Sequence, residues 1–212
     1  MTAGFHTAYT GGGTVHWLVE TGGRRTRLPL RRWYGPAEPA VRALVDRCTG
    51  PAVDVGCGPG RVAAELAARG LISFGIDTSP AAVQLTRQRG ATALRRDVFD
   101  PLPGEGRWSN VLLVDGNIGI GGDPVTLLHR CAQLLRPGGT VLVELDPPGA
   151  GLWRGRAHVA REPGAARPDR GPEFRWARVG VDAADRLAAL AGLRVRAVFT
   201  VDERWFAELE RP

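Results

Sequence analysis

The sequence of 212 residues contains no lysine, only three cysteines and four histidines, and no long hydrophobic run. No apolar stretch approaches the roughly 20 residues that a membrane-spanning helix needs. The first residues lack a charged start followed by an apolar stretch, so we expect no secretory signal and a cytoplasmic location. Cys48, Cys57 and Cys131 lack metal-ligand spacing and are odd in number, which favours reduced thiols. The histidines are scattered, and we predict no metal site.

The absence of lysine also bears on the basic character of the chain. The net charge is +6 and the isoelectric point is about 10.4, values that would invite a nucleic-acid partner. However, every cation is an arginine, and alanine, glycine and proline are abundant, as is typical of a GC-rich coding sequence. Because the arginines are spread along the chain, we do not expect nucleic acid as a partner.

From about residue 51 onward, strand-like and helix-like segments alternate, which is the pattern of a parallel sheet covered on both faces. Short apolar runs predict strands at 52–55, 71–76, 93–95, 110–114 and 140–145, and a last strand pair at 194–201 and 204–209. Helices are predicted at 61–68 and behind the caps Ser79, Asp123 and Asp182. Residues 98–109 are predicted to be a loop, and 137–139 a turn.

The fold class that follows is α/β. We predict a Rossmann-like, doubly wound, mostly parallel seven-stranded sheet with an antiparallel final strand, plus small β-hairpin additions. The additions are 14–33, around a Thr-Gly-Gly turn, and 151–180, two strands joined by a loop. We expect residues 1–50 to form a hairpin and a helix that cover a substrate, and 51–212 to form the core with 151–180 inserted.

The most informative motif is Val-Asp-Val-Gly-Cys-Gly-Pro-Gly-Arg at 53–61, between a predicted strand and a predicted helix. Its alternate glycines let the backbone approach a ligand closely, and the helix that follows offers free N–H groups. A dinucleotide fingerprint would need G-x-G-x-x-G/A. Here the third glycine comes one residue early and Arg61 takes its place, which disfavours a dehydrogenase.

This motif resembles the first motif of class I S-adenosylmethionine (SAM) dependent methyltransferases, of the small bacterial methyltransferase-domain type. The resemblance covers about residues 51–209. It implies SAM as the cofactor and S-adenosylhomocysteine (SAH) as its product. The loop residues Gly56, Cys57, Gly58 and Gly60 would surround the aminoacyl end of SAM, and Asp54 would hold its amino group.

Two further acidic positions extend this interpretation. Asp77, with Thr78 beside it, ends the second predicted strand about 20 residues beyond the glycine loop, where a carboxylate can bind both ribose hydroxyls. A helix-capping role is the alternative, although Ser79 already supplies a cap. In the resembling family an acidic residue after the third strand contacts adenine, which points to Asp97 and Val98. Asp97 as a solvated loop residue is the alternative.

Asp115 and Gly116 follow the fourth predicted strand, at the edge where open α/β sheets bind ligands. We expect both beside the methyl donor, and Asp115 could be a base, a group that positions the acceptor, or an anchor. Asn117 and His158 are further catalytic candidates, but no residue is singled out as the base.

We predict transfer of a methyl group to an oxygen or nitrogen atom of a small molecule, such as a natural product. The alternatives are an RNA or protein methyltransferase and a non-catalytic SAM-binding protein. A homodimer is also left open. Aromatic side chains in the added segments could line the acceptor pocket; they are Trp17, Trp33, Tyr34, Trp153, Phe174 and Trp176.

Overall fold

The structure, a computed structural model, describes residues 3–10, 15–161 and 170–212. Its strands within these ranges are β1 (His16–Glu20), β2 (Arg25–Arg27), β3 (Ala52–Val55), β4 (Ser73–Asp77), β5 (Ala93–Arg95), β6 (Trp108–Leu113), β7 (Leu135–Leu145), β8 (Leu152–Arg161), β9 (Phe174–Val179), β10 (Arg194–Val201) and β11 (Arg204–Glu210). The α-helices are α1 (His6–Thr10), α2 (Leu30–Tyr34), α3 (Pro39–Asp46), α4 (Arg61–Ala68), α5 (Pro80–Gln88), α6 (Pro124–Leu134) and α7 (Ala184–Leu190).

The central sheet of the described residues has seven strands in the order β10-β11-β7-β6-β3-β4-β5. Neighbouring strands are parallel except at β11, which runs antiparallel to both β7 and β10. Helices cover both faces: Val53 shares a buried cluster with Leu128 of α6, and Ala52 shares another with Leu44 of α3 and Leu66 of α4. The predicted doubly wound fold with an antiparallel final strand is confirmed.

The two predicted hairpins are present, and their strands pair with each other to form one sheet. Their strands form a second, antiparallel sheet in the order β2-β1-β8-β9, in which Leu18 lies opposite Val159. Residues 28–33 do not continue the first hairpin, because Pro29 precedes the short helix α2. Residue 14 and the loop residues 162–169 lie outside the described residues. The domain boundaries at 50 and 151–180 stay a prediction.

Local signals gave several element boundaries correctly. Strand β3, helix α4 and strand β5 have the predicted bounds. The predicted loop 98–109 contains no helix, but its last two residues, Trp108 and Ser109, belong to β6. The side chain of Ser79 accepts a hydrogen bond from Ala82 N at 3.4 Å, and that of Asp123 accepts one from Val125 N at 3.2 Å. Both residues therefore cap helices as predicted.

Two local predictions are wrong for reasons of tertiary contact. Asp182 does not cap α7; its carboxylate accepts hydrogen bonds from the backbone of Gly149 and Gly151, at 3.1 and 3.4 Å, before β8. The residues 137–139, predicted as a turn, lie inside β7. The C-terminal segment pairs with them there, since Gly138 N donates to Arg211 O and Arg211 N to Gly139 O.

In the part of the chain that the structure describes, no helix has both the length and the apolar character to cross a membrane.

Candidate functional site

A cleft lies at the C-terminal ends of β3, β4 and β6, where the glycine loop leads from β3 into α4. Gly56 and Gly58 have φ values of +72° and +53°, in the region that favours glycine. A Cβ atom on Gly56 would lie 2.7 Å from the amide nitrogen of Asn117, and one on Gly58 would lie 3.2 Å from the Tyr9 hydroxyl. Because neither loop residue has a side chain, the loop backbone itself borders this space, which we call the glycine-loop cleft.

Asp54 lines this cleft with a carboxylate that is almost fully buried. The backbone of Ala63 hydrogen-bonds to it, but its Oδ2 atom has no partner among the described residues. Burial raises the pKa of Asp54 to about 7, although the nearby Arg61 guanidinium opposes the shift. The cleft therefore contains a buried acceptor oxygen that a cationic ligand group would satisfy.

Asp77 joins the glycine loop to the start of α5. Its Oδ2 accepts a hydrogen bond from Gly58 N at 3.1 Å, and its Oδ1 accepts one from Ser79 N at 2.8 Å. Burial raises the pKa of this carboxyl group, and these backbone hydrogen bonds oppose the rise. Each carboxylate oxygen can accept a second hydrogen bond, so the group can hold the loop and still bind hydroxyls.

A shallow hollow lined by Thr78, Asp97 and Val98 adjoins the cleft and shares Gly56 and Asp77 with it. Asp97 Oδ1 accepts a hydrogen bond from Phe99 N at 3.1 Å, whereas the buried Thr78 hydroxyl has no hydrogen-bond partner in the described chain. The residues predicted for ribose and adenine are therefore neighbours in space. Their contact with a cofactor stays a prediction.

Three other predicted residues have structural tasks beside or below the cleft. Gly60, with φ +88°, does not line the cleft, and a Cβ atom there would lie 2.6 Å from the Thr86 hydroxyl. Cys57 lines the cleft, but its buried thiol lies 3.5 Å from the same hydroxyl. Asn117 donates from Nδ2 to the carbonyl oxygens of Val55 and Gly56, at 2.8 and 3.0 Å. Its amide thus supports the glycine loop.

Arg61 is the centre of a buried ion-pair network that sequence reasoning missed. One of its terminal nitrogens contacts both carboxylate oxygens of Glu38, at 2.7 and 2.6 Å, and the other contacts Asp115. Arg204 binds Glu144 through two hydrogen bonds, at 2.8 and 2.7 Å, and also contacts Glu38. We call these residues the Arg61 network. The one sequence signal for it was an arginine where a dinucleotide site requires glycine.

Asp115 has a φ of +59° and stands where two cavities meet. Its carboxylate contacts the guanidinium groups of Arg32 at 2.9 Å, of Arg61, and of Arg204 at 3.4 Å. Its backbone N–H donates to Glu144 at 2.5 Å. Contact with three cations favours an anchoring or positioning role for this side chain over proton abstraction.

His158 is not brought to this site. Its neighbours Ala157 and Val159 are buried, so the alternation along β8 turns His158 toward the opposite face of the second sheet. Burial lowers its pKa, and the charges of Arg170 and Arg25 lower it further. His158 lines neither cavity of the site, so its position does not support the prediction that it is a catalytic residue.

A second cavity, of about 370 Å³, lies between the second sheet and the ends of β6 and β7. We call it the inter-sheet cavity. It shares four residues with the glycine-loop cleft, namely Phe5, Trp33, Asp115 and Trp176. Of the predicted aromatic residues, Trp33 and Trp176 line it. Phe5 and Tyr9, which cover the cleft from the N-terminal segment, were missed because that segment is short and has no periodic pattern.

Comparisons with known proteins agree with this architecture. Residues 52–139 match the methyltransferase domain family. The ubiquinone biosynthesis O-methyltransferase of Alkalilimnicola ehrlichii is 35% identical over 97 residues, which are 42% of this chain and 39% of that protein. The 2-heptyl-1-hydroxyquinolin-4(1H)-one methyltransferase of Mycobacteroides abscessus is 34% identical over 110 residues, 49% and 45% of the two chains. The chain thus aligns with less than half the length of these curated relatives.

Solved structures extend the similarity in fold to nearly the whole chain. A SAM-dependent methyltransferase from Bacteroides fragilis, in complex with SAH, has a TM-score of 0.74 at 20% identity and covers 99% of this chain and 93% of its own. An amino pentose methyltransferase from Micromonospora echinaspora has a TM-score of 0.61 at 19% identity, with 86% and 94% covered.

The fold and the glycine-loop cleft thus define a Rossmann-like methyltransferase domain. The match of residues 52–139 to the methyltransferase domain family agrees with the resemblance of the first motif to class I SAM-dependent methyltransferases.

Proposed function

We propose that this chain binds SAM in the glycine-loop cleft and transfers the methyl group to an oxygen or nitrogen atom of a small molecule in the inter-sheet cavity. One observation carries the proposal: the two cavities meet at Phe5, Trp33, Asp115 and Trp176. A donor and an acceptor bound on either side of this boundary can come into contact. The names of the curated relatives, which describe methylation of small molecules, support the same class of acceptor.

The residues of the cleft fit the chemical groups of SAM. The partnerless Oδ2 of Asp54 suits an ammonium group, and Asp77 has acceptor capacity left for hydroxyls. Asp97 and the backbone of Val98 would face the adenine ring in the adjoining hollow. When bound, the cofactor supplies a sulfonium methyl group that is already activated for displacement.

The chain's own contribution is mainly alignment. Fixing an acceptor in line with the methyl group can lower the barrier by about 7–11 kcal/mol in favourable cases. Indole rings of Trp33 and Trp176 exclude water from the boundary, and Asp115 is held by arginines. Because no free base faces the boundary among the described residues, we infer an acceptor that is nucleophilic near neutral pH, such as an amine or an acidic hydroxyl.

Calorimetric titration with SAM, SAH and NAD tests the cofactor. We expect 1:1 binding of SAM and SAH, no binding of NAD, and affinity for SAM weakened about tenfold or more by Asp77→Ala. Uptake of NAD without SAM, or unchanged affinity in the variant, would refute the assignment.

Turnover tests the acceptor class. Transfer of a labelled methyl group to small aromatic amines and phenols is expected. Transfer only to RNA, with strong salt dependence, or only to protein would favour the alternative substrates. SAM binding without transfer to any of them would favour a non-catalytic protein.

We further propose a cytoplasmic location, in line with cysteines whose number and spacing favour reduced thiols, and leave a homodimer as a hypothesis. Light scattering of the purified protein tests the oligomeric state, and cell fractionation tests the location.

A further inference from the structure

We propose that the acceptor is an aromatic acid, whose carboxylate binds Arg24 at the end of the inter-sheet cavity away from the cofactor. This inference rests on the proposed function and adds the chemical class of the substrate. Three observations support it. The Arg24 side chain lines the cavity, the nearby carboxylates are already paired with other arginines, and the buried indole N–H of Trp33 has no partner among the described residues.

Strand register places Arg24 on the side of the second sheet that faces the inter-sheet cavity. Leu18, which is buried and lines the cavity, lies opposite Thr26, and Glu20 N donates to Arg24 O at 2.9 Å. Because side chains alternate along a strand, Arg24 and Thr26 share the face of Leu18. Arg25 lies opposite Val19 and belongs to the other face. Arg24 also lines the cavity, and Arg25 does not.

The carboxylates at this end of the cavity already have a cation. Arg178 donates from Nε to Glu20 at 2.7 Å and from Nη1 to Asp146 at 3.2 Å. Glu144, farther along the wall, is bound by Arg204. Arg24 forms no ion pair with any described residue and remains exposed. Arg27, at the end of β2, also lines the cavity and forms no ion pair with any described residue. The cavity therefore has two guanidinium groups without a carboxylate partner, of which Arg24 lies on the face of Leu18, and the planar fork of such a group matches a carboxylate.

The walls between Arg24 and the boundary with the glycine-loop cleft are largely apolar. They include Leu28, Ile118, Val179 and the two indole rings at the boundary. The volume of about 370 Å³ falls within the usual range for small-molecule sites. An aromatic body fits such walls better than a sugar, whose hydroxyls would need more hydrogen-bonding partners.

Trp33 supplies the second polar feature. Its side chain is 8% exposed, and its indole N–H is buried without a hydrogen-bond partner among the described residues. Buried donors are normally paired, so this N–H is available to an oxygen atom of a ligand. Since Trp33 lines both cavities, that atom would lie near the boundary, at the opposite end of the acceptor from the Arg24 carboxylate.

The test uses two probes of the same shape, 2-naphthoate and 2-naphthamide, titrated calorimetrically into protein saturated with SAH. We expect the acid to bind about tenfold or more tightly than the amide, the size of a charge-assisted hydrogen bond. Arg24→Gln should remove most of this preference. Arg25→Gln, which removes the same charge from the other face, should retain it.

Each outcome decides the proposal. Equal binding of the two probes, no binding of naphthoate, or the same loss of preference in both variants would overturn it. Binding of SAH is measured in the same samples and should be unchanged in Arg24→Gln. A protein that fails to bind SAH refutes the proposed function instead, so the two failures are distinguishable.

Discussion

Lowering the pH from 7 to 5 is expected to weaken SAM binding through the protonation of Asp54. Burial raises the pKa of this carboxyl group to about 7, against the opposing charge of Arg61. A neutral carboxyl group cannot form an ion pair with the amino group of SAM. Binding should therefore require the ionised form, and the bound ammonium group should in turn lower the pKa of Asp54.

The magnitude follows from proton competition. With a pKa near 7, the ratio of neutral to ionised Asp54 is about 1 at pH 7, about 10 at pH 6 and about 100 at pH 5. The dissociation constant should rise about fivefold between pH 7 and 6, and about tenfold between pH 6 and 5. Burial also raises the pKa of Asp77, and three backbone hydrogen bonds oppose that rise.

Calorimetry at half-unit pH steps measures this profile, with Asp54→Asn as the matched variant. Asp54→Asn should bind SAM more weakly and lose the slope between pH 7 and 6. A flat wild-type profile, or an Asp54→Asn profile with the same slope, would refute the reasoning.

Thermal denaturation without SAM tests the direction of the Asp54 pKa shift independently of ligand binding. A folded-state pKa above the unfolded value stabilises the fold at low pH, and this stabilisation is lost as the pH rises through 7. Asp54→Asn should therefore increase the melting temperature more at pH 8 than at pH 5, and the reverse order would contradict the burial argument.

Three further predictions concern stability and reactivity. Gly60→Ala should cost about 1–3 kcal/mol in urea denaturation, because its Cβ would clash with the side chain beneath it; Gly70→Ala, with a similar φ but open space around it, should cost less, and equal losses would remove the packing argument. Arg61→Gln should destabilise the fold by about 1–3 kcal/mol, since Glu38 and Asp115 lose one buried partner but keep Arg204 and Arg32, whereas Arg69→Gln at an exposed ion pair should have little effect. Burial raises the pKa of Cys131 to about 12, so Ellman's reagent should label this thiol only after unfolding, and rapid labelling of the native protein would contradict the packing.

The features that sequence reasoning predicted correctly depend on neighbours in the chain. The bounds of β3 and α4 follow from a short apolar run, a glycine turn and a helical pattern in succession. The caps Ser79 and Asp123 each precede a proline at the first helical position, which is a strictly local signal. Asp54, Asp77 and Asp97 were identified because each lies on or just after a strand whose end was recognisable.

The features that were missed depend on residues far apart in the sequence. The pairing of β1 with β8 joins segments about 140 residues apart, and no local pattern specifies it. The residues at 137–139 have the composition of a turn, yet pairing with Arg211 keeps them in β7. Glu38 and Arg204, which complete the Arg61 network, lie outside every motif and gave no separate signal.

Arg61 occupies the position that is the third glycine in a dinucleotide fingerprint, and it has a structural role there. In a dinucleotide fingerprint the equivalent glycine allows close packing of helix against strand. Here the side chain at that position is 3% exposed and reaches Glu38 on one side and Asp115 on the other, so it ties the glycine loop to the boundary between the two cavities. Restoring the fingerprint with Arg61→Gly would not create a nicotinamide site, because it would remove a buried cation that contacts both Glu38 and Asp115. The same residue that argues against a dehydrogenase therefore keeps Asp115 at the place where donor and acceptor are proposed to meet.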